Sequence, residues 1–220
     1  MKFLIFLGTV RDSTPPRPPR LGERVVKVCL QCLTTRFGDN DFELVDALDY
    51  PLNTVFKPHF SYSKSQVPTA LEQLAQKIKE SDGYIMISPE YNHSMSPALA
   101  NLLNHFGSSL FSYKPSAIVT YSAVQWGGMR AAVGLRSFLS ELGCLSVSSM
   151  IHAPKAQDVF TEAGGMKEGQ AQDTWFGYFS QTFSQLIWWA EATHQHRVKV
   201  DPQTISNVFK TTPTERNAPS

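Results

Sequence analysis

The ten residues Ser88-Pro89-Glu90-Tyr91-Asn92-His93-Ser94-Met95-Ser96-Pro97 gather a carboxylate, a phenol, an amide, an imidazole and several hydroxyls into one short stretch. It follows the apolar run Tyr84-Ile85-Met86-Ile87 and precedes a helical pattern that begins near Pro97. A strand that ends in a polar turn and opens a helix is where open α/β sheets hold their ligands. The free N–H groups and positive dipole end of that helix suit an electron-rich ligand. Ser94 or Ser96 can cap it, and Pro97 fits its first turn. On this chemistry alone the stretch is a binding turn whose cargo stays open.

Two more stretches have the same character. The loop Gly8-Thr9-Val10-Arg11-Asp12-Ser13, continuing to Arg20-Leu21-Gly22, supplies hydroxyls, backbone N–H groups and arginines beside a helix start. That combination makes a phosphate cradle. It is neither a Walker loop nor a G-x-G-x-x-G fingerprint, which disfavours nucleoside triphosphates and a directly bound dinucleotide. The segment Tyr121-Ser122-Ala123-Val124-Gln125-Trp126-Gly127-Gly128-Met129-Arg130 ends another apolar run, and its glycines allow close backbone approach to a flat ligand. Between Ser13 and Arg20 lies Thr14-Pro15-Pro16-Arg17-Pro18-Pro19, with overlapping P-x-x-P spacing. It reads as a rigid loop extension or as a polyproline II docking element for an SH3-like partner.

The elements that must position these loops follow from periodicity. Residues 2–7 form an apolar run suited to a strand buried on both faces, with a helix from about Leu21 and a second strand at 42–47. A long irregular connection, Asp49 to Pro68, leads to an amphipathic helix at 69–80, where Leu71, Leu74, Ala75 and Ile78 repeat at helical spacing. Strand three is 84–88, its helix runs to about Phe106, and strand four is 116–121. A helix through Leu135, Phe138, Leu139 and Leu142 stops before Gly143, and strand five is 144–151. A Gly- and charge-rich loop from His152 to Gln170 leads to a last helix at 172–193. Its Phe176, Phe179, Phe183, Trp188 and Trp189 read as core or as an interface between subunits. We expect one domain over 1–198 and a disordered tail over 199–220. Alternating strands and helices imply an α/β three-layer sandwich with a five-stranded parallel sheet of order 2-1-3-4-5 and its ligand crevice at the ends of strands one and three.

Composition narrows the classes. With 220 residues, 42% hydrophobic and 18% charged, the chain is globular, and a net charge of +1 gives no bulk signal for nucleic acid. No run approaches the roughly 18 apolar residues of a membrane span. The start, Met1 to Gly8, is a strand rather than a signal peptide, so a cytoplasmic location is expected. Three cysteines give no even disulfide framework, and Cys29-x-x-Cys32 falls inside a helix, away from the helix start that activates thiols. No cluster has metal-site spacing.

The turn Pro89-Glu90-Tyr91-Asn92, followed by His93-Ser94 and then Pro97-Ala98-Leu99-Ala100-Asn101-Leu102-Leu103, resembles the flavin turn of the NADPH-dependent FMN reductase family, flavodoxin-like enzymes that include small quinone, azo-dye and chromate reductases. Gly8, Thr9 and Arg11 match the family's G-S-x-R loop with Thr in place of Ser. Ser13, Arg20 and Gly22 stand where the family carries further polar groups before its helix, although here the proline insert intervenes. Ser122, Gly127, Gly128 and Arg130 match a serine, glycine pair and arginine at the third loop, with Trp126 bordering the pocket. The resemblance implies FMN held by Thr9, Arg11, Ser13, Arg20, Pro89, Glu90, Tyr91, Asn92, Ser94, Ser122, Gly127 and Gly128. It implies NAD(P)H as donor, a small quinone-like acceptor, and a homodimer or homotetramer. No catalytic side chain is needed, because hydride transfer is the cofactors' own chemistry. His93 reads otherwise as a surface histidine and Glu90 as a capping or dimer-contact carboxylate. Two further readings remain: a flavin-free nucleoside deoxyribosyltransferase-like enzyme with Glu90 as nucleophile, and a non-catalytic FMN-binding scaffold.

Overall fold

The computed structural model describes residues 1–51 and 55–205. In chain order the elements are β1 Lys2–Leu7, α1 Leu21–Arg36, β2 Asp41–Asp46, α2 Thr69–Glu80, β3 Gly83–Pro89, α3 Pro97–Asn104, α4 Ser108–Phe111, β4 Pro115–Tyr121, α5 Met129–Glu141, β5 Leu145–Ser146, β6 Ile151–Ala153, α6 Ala156–Val159, α7 Gln172–Lys199 and α8 Pro202–Ile205. The strands run parallel in the order β2-β1-β3-β4-β5, with β6 also pairing β4. β3 and β4 are buried along their whole length because helices cover both faces, which is why their sequences are continuous apolar runs rather than alternating ones. One core lies between the sheet and α1 and α7, the other between the sheet and α2, α3 and α5. This is the flavodoxin-like three-layer sandwich expected from the alternation of elements.

Strand five departs from the expected single run at 144–151. β5 and β6 are two short pieces, each pairing with a different end of β4. The break has a polar cause. Arg136 of α5 donates to the carbonyls of Ser146, Val147 and Ser148, and Gln185 of α7 accepts from Ser148 Oγ at 2.9 Å and Ser149 N at 3.2 Å. Those partners replace ladder bonds, so the chain leaves the sheet and returns at Ile151. The expected loop after His152 therefore begins with the rest of a strand and holds α6.

α7 is longer than expected and continues to Lys199. Phe176, Phe179, Phe183, Leu186 and Ala190 form its buried seam at alternating spacings of three and four residues. Trp188 and Trp189 fall off that seam and stay 60% and 39% exposed, their rings packed edge-on at 4.8 Å. They are surface residues, not core. Cys29 and Cys32 are buried thiols in the middle of α1, with burial pushing the Cys29 thiol far up, so the pair is structural. The proline insert folds into a turn closed by Arg17 N donating to Thr14 O at 3.1 Å, with Asp12 accepting from Thr14 N and from the Arg17 guanidinium. A turned segment held this way does not present an extended polyproline II ligand. Of the expected tail at 199–220, Lys199 ends α7 and 202–205 form α8, while 206–220 lie outside the described residues.

Candidate functional site

Parallel order brings the carboxyl ends of β1, β3 and β4 side by side, and each predicted loop leaves from one of them. The loops are wired together through buried small groups. Gly8 N donates to Ile87 O at 2.9 Å, tying the first loop to β3. Ser96 caps α3 by accepting from Leu99 N at 3.1 Å, donates its hydroxyl to Gly8 O, and gives its own N–H to Ser88 Oγ at 2.9 Å. The cap expected of Ser94 or Ser96 belongs to Ser96. Thr9, 3% exposed, packs beside the Tyr121 hydroxyl where both flank Gly22, which brings the first loop against the third. Burial raises that phenol well above its ordinary range, so it stays a neutral structural contact.

The sequence-predicted residues divide into two groups. Arg11 is exposed, and among the described residues no carboxylate pairs with it. The N–H groups of Val10, Arg11, Asp12 and Ser13 likewise have no partner among the described residues. A run of open donors beside an uncommitted guanidinium is what a phosphate requires. Arg20, by contrast, is 5% exposed and is held by Asp46, Glu23 and the Thr9 carbonyl. It braces the loop instead of facing a ligand. Ser13 Oγ lies 3.4 Å from Glu23 Oε1, at the foot of the same brace.

In the second loop Pro89 is buried at the end of β3. Tyr91 and Ser94 then pair as a reciprocal bridge, Tyr91 N to Ser94 O at 3.0 Å and Ser94 N to Tyr91 O at 2.9 Å. Asn92 and His93 form the tip with φ of 50° and 61°. Two consecutive left-handed residues make a type I′ turn, which thrusts Tyr91, Asn92 and His93 into solvent at the mouth of the crevice. Glu90 points elsewhere: its Oε2 accepts from Arg130 N at 3.1 Å and Ala131 N at 3.3 Å, capping α5 and spanning the second and third loops. Arg130 in turn sits over the Trp126 ring, 5.6 Å from its centroid.

In the third loop Ser122 Oγ accepts from Gly127 N at 3.0 Å and donates to Val124 O at 2.6 Å, so it shapes the turn. Gly127 and Gly128 have φ of 60° and 81°. A Cβ on Gly128 would lie 2.8 Å from Thr120 Cβ, so both the conformation and the space require glycine there.

His152 carries no signal in the sequence pattern, because it lies in what reads as a loop, yet the fold places it at the site. Its Nδ1 lies 2.8 Å from Thr120 Oγ1 and its N–H donates to Tyr178 OH at 2.8 Å, directly beneath the glycine turn. Burial lowers its pKa from the ordinary value near 6.5. Between the lowered value and about 6.5 the unfolded chain binds a proton that the folded chain does not, so this residue makes stability fall as pH drops through that window. We expect the urea midpoint to decline more steeply from about pH 6.5 to 5 in the wild type than in His152→Asn. An equal or shallower decline would show that the imidazole is not desolvated.

The NADPH-dependent FMN reductase family description matches residues 1–158. An NADPH azoreductase of Bacillus is 34% identical over 71 residues, 32% of this chain and 40% of that protein. The NADH:(hydroxy)cinnamate reductase subunit CrdA of Vibrio ruber is 30% identical over 170 residues, 74% of this chain and 76% of CrdA. Among solved structures, the flavoenzyme NAD(P)H:(acceptor) oxidoreductase FerB of Paracoccus denitrificans superimposes with a TM-score of 0.63 at 20% identity, covering 86% of this chain and 97% of FerB, which is a likeness of fold. The open donors after β1, the turn after β3 and the left-handed glycines after β4 fall within the matched span, and the chain belongs to the NADPH-dependent FMN reductase family, oxidoreductases that work with FMN and NAD(P)H.

Proposed function

We propose that this protein is an NAD(P)H-dependent oxidoreductase that holds FMN noncovalently in the crevice formed by the three loops and passes reducing equivalents to a small quinone-like acceptor. The observation that carries the reading is the set of N–H groups at residues 10–13 without a partner among the described residues, beside Arg11, at the carboxyl end of β1, hydrogen-bonded to the turn after β3 and packed against the end of β4. Bound FMN would supply the hydride relay between nicotinamide and acceptor. The chain's own groups bind and orient. The N–H groups of Val10 to Ser13 and the Arg11 guanidinium hold the phosphate above the buried Thr9, the Pro89–Ser94 turn borders the ring edge, and Gly127-Gly128 permit close approach to a ring face. Tyr91, 38% exposed at the mouth, shields one side of the site from water.

A homodimer or homotetramer accords with the exposed apolar side chains Trp126, Met129 and Val133 beside this crevice. We place the protein in the cytoplasm. Its three cysteines are free and buried, and no helix among the described residues is long and apolar enough to cross a membrane.

The reading is tested by the visible spectrum of the purified protein before and after anaerobic NADPH. Flavin bands that bleach on reduction support it. A colourless protein that takes up no FMN overturns it, and bound FMN with no NAD(P)H oxidation in the presence of any acceptor would leave a binding scaffold.

Glu90 bears on the nucleophile reading. A carboxylate committed to two backbone N–H groups of α5 is a helix cap, poorly placed to attack a sugar carbon. We expect Glu90→Gln to keep reductase turnover within about threefold and to cost about 1 kcal/mol of stability, read by urea denaturation. Loss of all activity in a folded Glu90→Gln would favour the transferase instead.

A further inference from the structure

The amino ends of β4 and β5, on the opposite edge of the sheet from the crevice, carry a second cavity of about 440 Å³. Its walls include Tyr113, Cys144, Leu145, Trp189, Ala192 and Arg197, contributed by the segment before β4, the turn into β5 and the last turns of α7. The volume falls in the range of small-molecule sites, which are concave, largely apolar and furnished with a few fixed polar groups.

The polar groups here are fixed. Arg197 Nη1 donates to Tyr113 O and to Thr193 Oγ1, both at 2.9 Å, and Nη2 donates to Asp82 Oδ1 at 3.1 Å. Asp82 is 8% exposed and also accepts from the Lys2 N–H at 3.0 Å, so the arginine is anchored to the sheet. Asp82 pairs with the guanidinium and also lies 2.7 Å from His194 Nδ1, so Arg197 reaches the cavity as a paired group and not as an isolated cation. Tyr113 is held with φ of 62°, its N–H donating to Gly143 O at 3.1 Å. A left-handed tyrosine is strained and persists only where its surroundings impose it. Trp189 and Leu145 both line the cavity and are 39% and 40% exposed.

We propose that this cavity is a second small-molecule site, which takes a neutral, flat apolar compound of two or three rings carrying one hydrogen-bond acceptor. The rings lie between Trp189 and Leu145, and the acceptor faces the Arg197 edge. A neutral ligand suits a mostly apolar cavity whose guanidinium is already paired with Asp82, since a charged group would have to compete with that pair.

The test uses the full-length chain and two probes with one ring system, neutral N-phenyl-1-naphthylamine and its sulfonated relative 8-anilinonaphthalene-1-sulfonate. We expect saturable binding of one equivalent of the neutral probe, with quenching of tryptophan fluorescence, at least tenfold tighter than the sulfonate. Saturating FMN should leave it unchanged, since the proposed flavin site is at the other edge of the sheet. Ala192→Trp fills the cavity from α7 and Leu145→Arg charges it from β5. Each should weaken the neutral probe at least tenfold while the circular dichroism spectrum is kept, and two variants from different elements guard against one failing to fold. Tighter binding of the sulfonate overturns the ligand class. Competition by FMN overturns the location, as does binding indifferent to both variants. Binding that weakens with rising protein concentration would assign the cavity to a second copy of the chain. Binding that appears only after removal of residues 206–220 would assign it to the chain's own terminal segment. Either result overturns the proposal.

Discussion

Replacing Arg20 by methionine is expected to lower the unfolding free energy by about 3–5 kcal/mol, the range for stranding the partners of a buried ion pair. The Arg20 side chain is 4% exposed, and its two neighbours are only 16% exposed at Asp46 and 26% at Glu23. Burial alone would pull the guanidinium pKa down, but its hydrogen bonds to Asp46 and Glu23 and their charges more than offset it and the net direction is upward. The arrangement is a fork: Nη1 and Nη2 meet both Asp46 oxygens, Nε meets Glu23 at 2.9 Å, and Nη1 also holds the Thr9 carbonyl. Methionine matches the stem but leaves two carboxylates and a carbonyl without their donor. Arg20→Lys should recover only part of the loss, because an ammonium cannot reproduce the planar fork. Urea denaturation should show a lower midpoint with an unchanged slope. Adding Asp46→Asn to Arg20→Met should return part of the deficit, since it removes the stranded charge. A deficit below about 1 kcal/mol in Arg20→Met would mean that Asp46 and Glu23 are solvated well enough to stand alone.

What the sequence made legible, and what it hid, follows from the range of the forces involved. The strands and the placement of the three loops could be read because buried parallel strands leave continuous apolar runs, as in Tyr84–Ile87, and turns leave local punctuation, while the sheet order rested on the common winding of such sheets. The amphipathic helix at 69–80 could be read to the residue, since Leu71, Leu74, Ala75 and Ile78 encode its face directly. Side-chain pairing could not. Arg20 looks like a phosphate ligand in sequence because it sits before a helix, and only the fold brings Asp46, 26 residues away, up against it. Glu90 is similar, its capped helix starting some 40 residues later. The split of strand five depends on Arg136 and Gln185 reaching across from two helices, which no local pattern records. His152 carries no local signal for the same reason: its partners Thr120 and Tyr178 are distant in sequence.

Gly8→Ala should produce the second large effect, and one that couples stability to ligand binding. A Cβ built at Gly8 lies 2.4 Å from Leu99 Cβ and 3.2 Å from Ile87 O. Neither atom can swing aside. Leu99 Cβ is fixed by the first turn of α3, where Leu99 N donates to Ser96 Oγ, and Ile87 O belongs to β3 and accepts from Gly8 N itself. Relief therefore requires α3 to retreat from the first loop, which would stretch the contact between Ser96 Oγ and Gly8 O. Overpacking of this kind costs about 1–3 kcal/mol. The same retreat separates the loop after β1 from the turn after β3, so FMN affinity should fall by at least tenfold, measured by flavin fluorescence titration below the melting temperature of the variant. Gly134→Ala supplies the contrast. That glycine is exposed in α5, where an added methyl group would meet nothing within 4 Å among the described residues, and alanine there should add about 0.5–1 kcal/mol by helix preference alone. If Gly8→Ala loses stability but binds FMN normally, the close packing of β1 on α3 supports the sheet and not the cofactor, and the phosphate-holding role would rest on Arg11 and the open N–H groups alone.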